Sequence, residues 1–311
     1  MSKTAFLFPG QGSQSVGMLA ELSQQSDLVQ STMDQASEVI GYDLWQVAKE
    51  GPADRLNQTE VTQPLMLAAG VACWRAWKAL GGFNPDFMAG HSLGEYTALV
   101  AAGSLDFTAA VALVAERAQR MQNATPAGSG AMAAIIGLDE PALAEVCAAA
   151  AEGQVVSCAN FNSPGQIVIA GDKAAVERAC AMAVEAGARR AVPLAVSVPS
   201  HCALMREAAR AFAGTLNATT LSTGVIPVLH NVDVQTHTEI QAIRTALEQQ
   251  LWQAVRWAET ISALAARGVN RFAECGPGKV LTGINRRIVR ETEIVALMDL
   301  DVMKQTLKNW S

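Results

Sequence analysis

The chain has 311 residues, half of them hydrophobic, 17% charged and 5% aromatic, a balance that supports a sizeable core and excludes a mainly disordered chain. Its 29 acidic and 23 basic residues leave a formal net charge of −6, so the chain as a whole has no electrostatic footprint for nucleic acid. At about 100 to 200 residues per domain, the length fits two domains or one α/β unit carrying an insertion.

Residues 5–8 are apolar and end in Pro9-Gly10-Gln11-Gly12, which predicts a buried strand entering a tight loop, with a helix from about residue 16. A second strand-turn-helix is expected at 87–89 and 93–102, and a further helix at 107–121. The run 126–130 reads as a linker. Beyond it come a strand at 131–136, a helix at 141–151, strands at 155–159 and 166–170, a helix at 173–186 and a strand at 191–196. That β-α-β-β-α-β order is the ferredoxin-like one. After Pro199 the βα rhythm resumes: a strand at 225–229, helices at 240–251 and 257–266, a strand at 269–274, a helix after Gly278 and a strand at 294–297. The expected class is therefore α/β: a hydrolase-like core with a parallel sheet over 1–127 and 198–311, interrupted by a ferredoxin-like domain over 128–197.

The six cysteines form no C-x-x-C pair, and a core of this size needs no disulfide framework, so reduced thiols in a cytoplasmic protein are expected. The apolar run before Pro9 is too short for a signal-peptide core. The stretch 96–114 is broken by Ser104, Asp106 and Thr108, so no membrane span is expected.

Neither glycine-rich stretch has nucleotide-binding spacing. Ser15 stands where Gly10-Gln11-Gly12 would need its third glycine, and Met18 and Leu19 stand where a P-loop needs Lys and Ser or Thr. These glycines read as turn formers.

Gly90-His91-Ser92-Leu93-Gly94 matches G-x-S-x-G, in which a serine sits on a strained strand-to-helix turn with its hydroxyl exposed and the next backbone N–H aimed at an oxyanion. A serine hydroxyl needs a base at neutral pH. Of the four histidines, His91 adjoins Ser92 and should point away from it, His230 lies in an apolar run and reads as structural, and His237 reads as exposed. His201 sits where the inserted domain returns to the core, a place where a cleft residue is expected. No acid lies near it in sequence, so a backbone carbonyl could orient its imidazole.

Arg117 is the most telling charge in the chain. Leu113, Val114 and Met121 place it inside the apolar stripe of its helix, whereas Arg120 has Glu116 at i−4 and reads as solvated. Arg117 either snorkels from the edge of the stripe or enters a cleft to hold an anion through both arms of its fork.

Taken together, these segments resemble the malonyl-CoA:acyl-carrier-protein transacylases of bacterial fatty-acid synthesis, over essentially the whole chain. The likeness is carried by Phe8-Pro9-Gly10-Gln11-Gly12-Ser13-Gln14, Gln63-Pro64, Gly90-His91-Ser92-Leu93-Gly94-Glu95-Tyr96 and Arg117. It continues in Gly130-Ala131-Met132, Asn160-Phe161-Asn162-Ser163-Pro164-Gly165-Gln166, Val198-Pro199-Ser200-His201 and Gly276-Pro277-Gly278-Lys279. The resemblance implies a malonyl-serine intermediate on Ser92 with His201 as base. It implies that the Gln250 backbone carbonyl orients His201, that the Gln11 and Leu93 amides form the oxyanion hole, and that Arg117 holds the malonyl carboxylate.

Gln63, Asn162 and Gln166 are further candidates for lining the cleft, while Met121 and Met132 read equally as core. The implied partners are malonyl-CoA and an acyl carrier protein, with no metal, no redox cofactor, no nucleic acid and no membrane, in a monomer. Carrier proteins of that pathway are acidic, so docking calls for basic surface, for which Arg189, Arg190, Lys279, Arg286, Arg287 and Arg290 are the candidates. The alternatives are malonyl transfer for a polyketide synthase or a malonate decarboxylase, and a patatin-like serine esterase, against which an unpaired Arg117 would speak.

Overall fold

The computed structural model describes residues 2–196 and 198–310. Its mixed α/β class is the one read from the sequence, with one parallel and one antiparallel sheet. In chain order the strands are β1 (Lys3–Phe8), β2 (Phe87–Gly90), β3 (Gly130–Ile136), β4 (Val156–Ser163), β5 (Gln166–Asp172), β6 (Arg190–Pro193), β7 (Val228–Leu229), β8 (Val269–Glu274) and β9 (Glu293–Ala296).

Five strands form the parallel sheet in the order β7-β2-β1-β8-β9. The central strand shows why it is buried on both sides. Phe6 and Phe8 pack into the helical layer on one face, while Ala5 and Leu7 pack on the other face against Trp257, Ile261 and Leu264. A continuous apolar run is what a parallel strand covered on both faces requires. With β2 on one side of β1 and β8 on the other, the crevice at the carboxyl ends of these strands is where an α/β sheet places its ligand.

The antiparallel sheet runs β4-β5-β3-β6, the strand order of a ferredoxin-like unit, and the elements of that unit span Gly130 to Pro193. Residue 197, the expected end of the inserted domain, lies outside the described residues. Ala133 and Ile135 of β3 face its two helices, and Met132 faces the opposite way, toward Cys202. The alternation of β3 therefore turns one face of the small sheet toward the loop that carries His201. Backbone hydrogen bonds from Phe161 to the carbonyl of Val255 and from Val255 to that of Ala159 tie this sheet to the loop before the helix Trp257–Ala266, which packs on the large sheet.

Some boundaries differ from the sequence reading. The first helix starts at Ala20 rather than near residue 16, because Gly17 and Leu19 adopt positive φ and turn the chain first. The strand expected at 225–229 shrinks to two residues, since Val225 is 82% exposed. The strand expected at 191–196 covers Arg190–Pro193. The sequence reading also assigned no elements to 28–80, 206–218 or 300–310, where the helices Leu28–Ile40, Thr59–Ala79, Arg206–Ala218 and Leu300–Trp310 lie, among others. Thr59–Ala79 is buried on nearly every side, so it shows little of the amphipathic periodicity that reveals a surface helix.

Candidate active site

Ser92 follows β2 at φ 51, in the left-handed region, where an L-residue is strained and persists only if its surroundings hold it. The neighbouring glycines make the turn possible. A Cβ on Gly90 would collide with the backbone of Gly94, and one on Gly94 with the carbonyl of Phe8 at the end of β1. Both tips of the central strands can thus converge on the serine.

Opposite it, His201 also has positive φ, at 63. Its backbone N–H donates to the carbonyl of Leu251 at 3.0 Å. The imidazole Nε2 lies 2.8 Å from Ser92 Oγ, and Nδ1 lies 2.7 Å from the backbone oxygen of Gln250. A carbonyl oxygen can only accept, so Nδ1 carries the proton and the Nε2 lone pair faces the serine hydroxyl. Burial first, and then the Arg117 guanidinium, pull the imidazole down to about 3, against the Gln250 carbonyl, which raises it.

That direction fixes a pH dependence. A base is lost only when pH falls through its own pKa, so acylation of Ser92 in the free protein should hold its neutral-pH rate well below 6.5, the ordinary histidine value. Stopped-flow acylation between pH 4.5 and 8 measures this. A midpoint at 6 to 7 would mean that His201 is not held neutral by its surroundings.

Arg117 comes from the helix Phe107–Gln122, whose first turn is capped by Asp106 accepting from the Ala109 N–H. Leu113, Val114 and Met121 are buried on the face that carries Arg117, which is itself 1% exposed. Its Nη1 donates to Gln63 Oε1 at 2.7 Å. Its Nη2 donates to Gln250 Oε1 at 3.0 Å and reaches Ser92 Oγ at 3.3 Å. The ring of Tyr96 lies 5.4 Å from the guanidinium carbon, and Nε has no partner among the described residues. None of the described ion pairs involves Arg117. A buried cation held by neutral groups favours an incoming carboxylate. Arg120, by contrast, pairs with Glu116 at 2.6 Å near the surface.

The cleft around these groups is lined by Gln11, Leu93, Gln63, Asn160, Asn162 and His201, with an apolar wall that includes Met121, Met132, Leu194 and Val198. Both methionines are thus core and cleft wall at once. No described turn or loop hydrogen bond uses the backbone N–H of Gln11 or Leu93, whereas the N–H of Ser92 is taken by Asn231 Oδ1 at 2.7 Å. Gln11 and Leu93 both border the cleft with Ser92.

Several residues sit differently from the sequence reading. Gln166 is not among the residues lining the cleft; its Oε1 accepts from Arg287 Nη1 at 2.8 Å, joining the start of β5 to the segment after the helix Val280–Asn285. His91 points away from Ser92 but into the cleft, with Nε2 2.8 Å from Asn162 Oδ1, and burial lowers its pKa. His237, expected to be exposed, is partly buried 2.7 Å from Asp233. His230, by contrast, is buried against Glu95, as its structural reading expects.

Sequence reasoning missed Asn160 and gave no role to Asn231, Glu95 or the side chain of Gln250. The available signal for Asn231 was a polar residue just beyond an apolar strand, at the carboxyl edge where α/β sheets collect functional groups. Of the basic candidates, Lys279 and Arg287 flank the cleft-lining Val280 and Ile284. Arg189 and Arg190 lie at the start of β6, at the other end from Leu194, and all of these, with Arg286 and Arg290, are exposed.

The acyl transferase domain family matches residues 5–308. The chain belongs to that family. A malonyl CoA-acyl carrier protein transacylase of Haemophilus influenzae is 56% identical to this acyltransferase over 301 residues, covering 96% of each chain. An acyl carrier protein S-malonyltransferase of Vibrio cholerae superposes with a TM-score of 0.95 at 55% identity, covering 98% of this chain and 100% of its own. A malonyl-transacylase solved in complex with a type II polyketide acyl-carrier protein superposes at 0.98 with 51% identity, covering 99% and 100%. Among the described residues of the acyltransferase, no helix is long and apolar enough to cross a membrane.

Proposed function

We propose that this acyltransferase moves the malonyl group from malonyl-CoA to the pantetheine thiol of an acyl carrier protein, supplying malonyl carrier protein for fatty-acid elongation. The observation that carries the reading is the convergence of Ser92 Oγ on both His201 Nε2 and Arg117 Nη2. One hydroxyl faces a base and a carboxylate receptor together. Relatives with malonyl transacylase names over the whole chain support it.

Ser92 Oγ attacks the thioester carbonyl while its proton passes to His201 Nε2, and the oxyanion rests on the amides of Gln11 and Leu93. Collapse breaks the C–S bond, and the departing thiolate takes the proton from His201. The malonyl ester of Ser92 remains, its free carboxylate on Arg117. The carrier thiol then gives its proton to His201, attacks the ester carbonyl and expels the serine oxygen, which is reprotonated. Every step uses an acid, a base or a hydrogen-bond donor of the protein, so no metal or redox cofactor is required. The reading extends to a monomer in the cytoplasm, and the six free cysteines support that compartment.

The carrier docks where Lys279 and Arg287 border the mouth, with Arg286 and Arg290 beside them and Arg189 and Arg190 on the small domain, because the second thiol has to enter the same cleft as the first. Opposite charge gives such a surface its on-rate and orientation.

Mass spectrometry of the protein mixed with malonyl-CoA, or separately with acetyl-CoA, tests the reading. A malonyl adduct on the peptide containing Ser92, discharged by carrier protein and formed far less with acetyl-CoA, is expected. Equal labelling by the two would remove the carboxylate role of Arg117.

A further inference from the structure

The serine turn and the histidine are held by one buried cluster beneath the cleft. Glu95, on the first turn of the helix Gly94–Ala101, is fully buried. Its Oε1 lies 2.7 Å from His230 Nδ1. Its Oε2 accepts from the backbone N–H of Asn231 at 3.0 Å and from Gln250 Nε2 at 2.8 Å. Those two partners reach the reacting groups. Asn231 accepts from the N–H of Ser92 and donates through Nδ2 to the carbonyl of Gly90 at 2.7 Å, clasping the strained turn from both sides. Gln250 Nε2 also donates to the carbonyl of Ser92 at 3.0 Å, while the backbone carbonyl of the same residue holds His201 Nδ1.

Resting on the serine-histidine reading above, we propose that Glu95 is a positioning residue that sets Ser92 and His201 relative to each other through Asn231 and Gln250. The carboxylate touches neither reacting atom. It fixes the two residues that do the holding, and the positive φ of Ser92 needs such holding to persist. A buried cluster whose members are all paired gives one geometry rather than several. A shift of about 1 Å in such a pair costs roughly a hundredfold in rate.

The two oxygens of Glu95 divide the donors in a way that makes a clean test. Asn231 N–H and Gln250 Nε2 both use Oε2, so the single oxygen of a glutamine can serve them. Its NH2 can then donate to His230 Nδ1 once that imidazole adopts the other tautomer. Glu95→Gln keeps the positions and removes the charge. Glu95→Ala removes the positions.

The experiment follows phosphonylation of Ser92 by a fluorophosphonate, which needs an activated serine but not Arg117, together with kcat and KM for malonyl-CoA. The folded fraction of each variant is fixed by thermal unfolding. In folded protein, Glu95→Ala and Asn231→Ala should each slow phosphonylation and lower kcat by about tenfold or more, with KM within about twofold, and Glu95→Gln should stay within about threefold of wild type. Wild-type rates in folded Asn231→Ala, or Glu95→Gln as slow as Glu95→Ala, would overturn the proposal. If Glu95→Ala does not fold, Glu95→Asp takes its place, since it withdraws the carboxylate by one methylene from the donors of Asn231 and Gln250; the same loss is expected, and wild-type rates there would overturn the proposal. A wild-type protein that is not phosphonylated at Ser92 would remove the serine reading, and the positioning role with it.

Discussion

Ser92→Ala is expected to abolish the malonyl adduct and to lower malonyl transfer by about 10⁴-fold or more, since the members of a nucleophile-base pair act as a unit. The hydroxyl lies 2.8 Å from His201 Nε2, and without it the neutral imidazole has no serine proton to accept. Water is a poor replacement, because direct attack on the thioester would give hydrolysis and not transfer. The turn itself should survive. Its backbone is held by Asn231 and Gln250 and not by Oγ. Removing one hydroxyl that contacts Arg117 at 3.3 Å should change stability by about 1 kcal/mol or less. Rapid-quench transfer assays and intact-protein mass measure the outcome. An adduct that persists, or a loss smaller than tenfold, would point to another nucleophile.

Arg117→Ala should reduce acylation by malonyl-CoA roughly 10²–10⁴-fold, the equivalent of about 3–5 kcal/mol for breaking a buried charge pair. Acetyl-CoA, which has no carboxylate to place, should lose far less, so the preference for malonyl should collapse. The asymmetry comes from the surroundings of the guanidinium. There the guanidinium is buried among Gln63, Gln250 and Tyr96 with no carboxylate in contact, so an uncharged acyl group would leave the cation without an anionic partner.

Arg117→Lys should not restore the preference, because one ammonium cannot span the two glutamine oxygens that the fork reaches. The same substitution to alanine removes a charge that lowers the His201 pKa, so the acid limb of the remaining activity should move up in pH. Values of kcat/KM for both acyl-CoAs decide between roles. An equal loss with both would assign Arg117 to the serine hydroxyl and not to the substrate carboxylate.

Much of this was legible along the chain because it is local. A tight strand-to-helix turn leaves no room for a Cβ at Gly90 or Gly94, and that steric demand is written as G-x-S-x-G. The stripe around Arg117 is a matter of helical period, and the buried run in β1 follows from a strand covered on both faces. Less visible were elements without contrast. The helix Thr59–Ala79 is apolar on nearly all sides, and the two-residue β7 is too short to carry a period.

Gln166 shows the other limit. Its place in the segment Asn160 to Gln166 that carries the resemblance made it a candidate for the cleft, but which way the start of β5 faces depends on how the small domain packs, and there it bonds Arg287.

By itself, the sequence determined the α/β class, the inserted ferredoxin-like unit, the strained serine and the off-pattern arginine, all products of short-range sterics and periodicity. Only the tertiary structure decided that Ser92, Arg117, His201 and Gln250, drawn from four separate stretches of chain, share one set of hydrogen bonds. It also decided that Glu95 and Asn231 lie beneath them. Hydrogen bonds act over about 3 Å, and partners 25 to 158 positions apart in sequence meet at that range only after both sheets have packed.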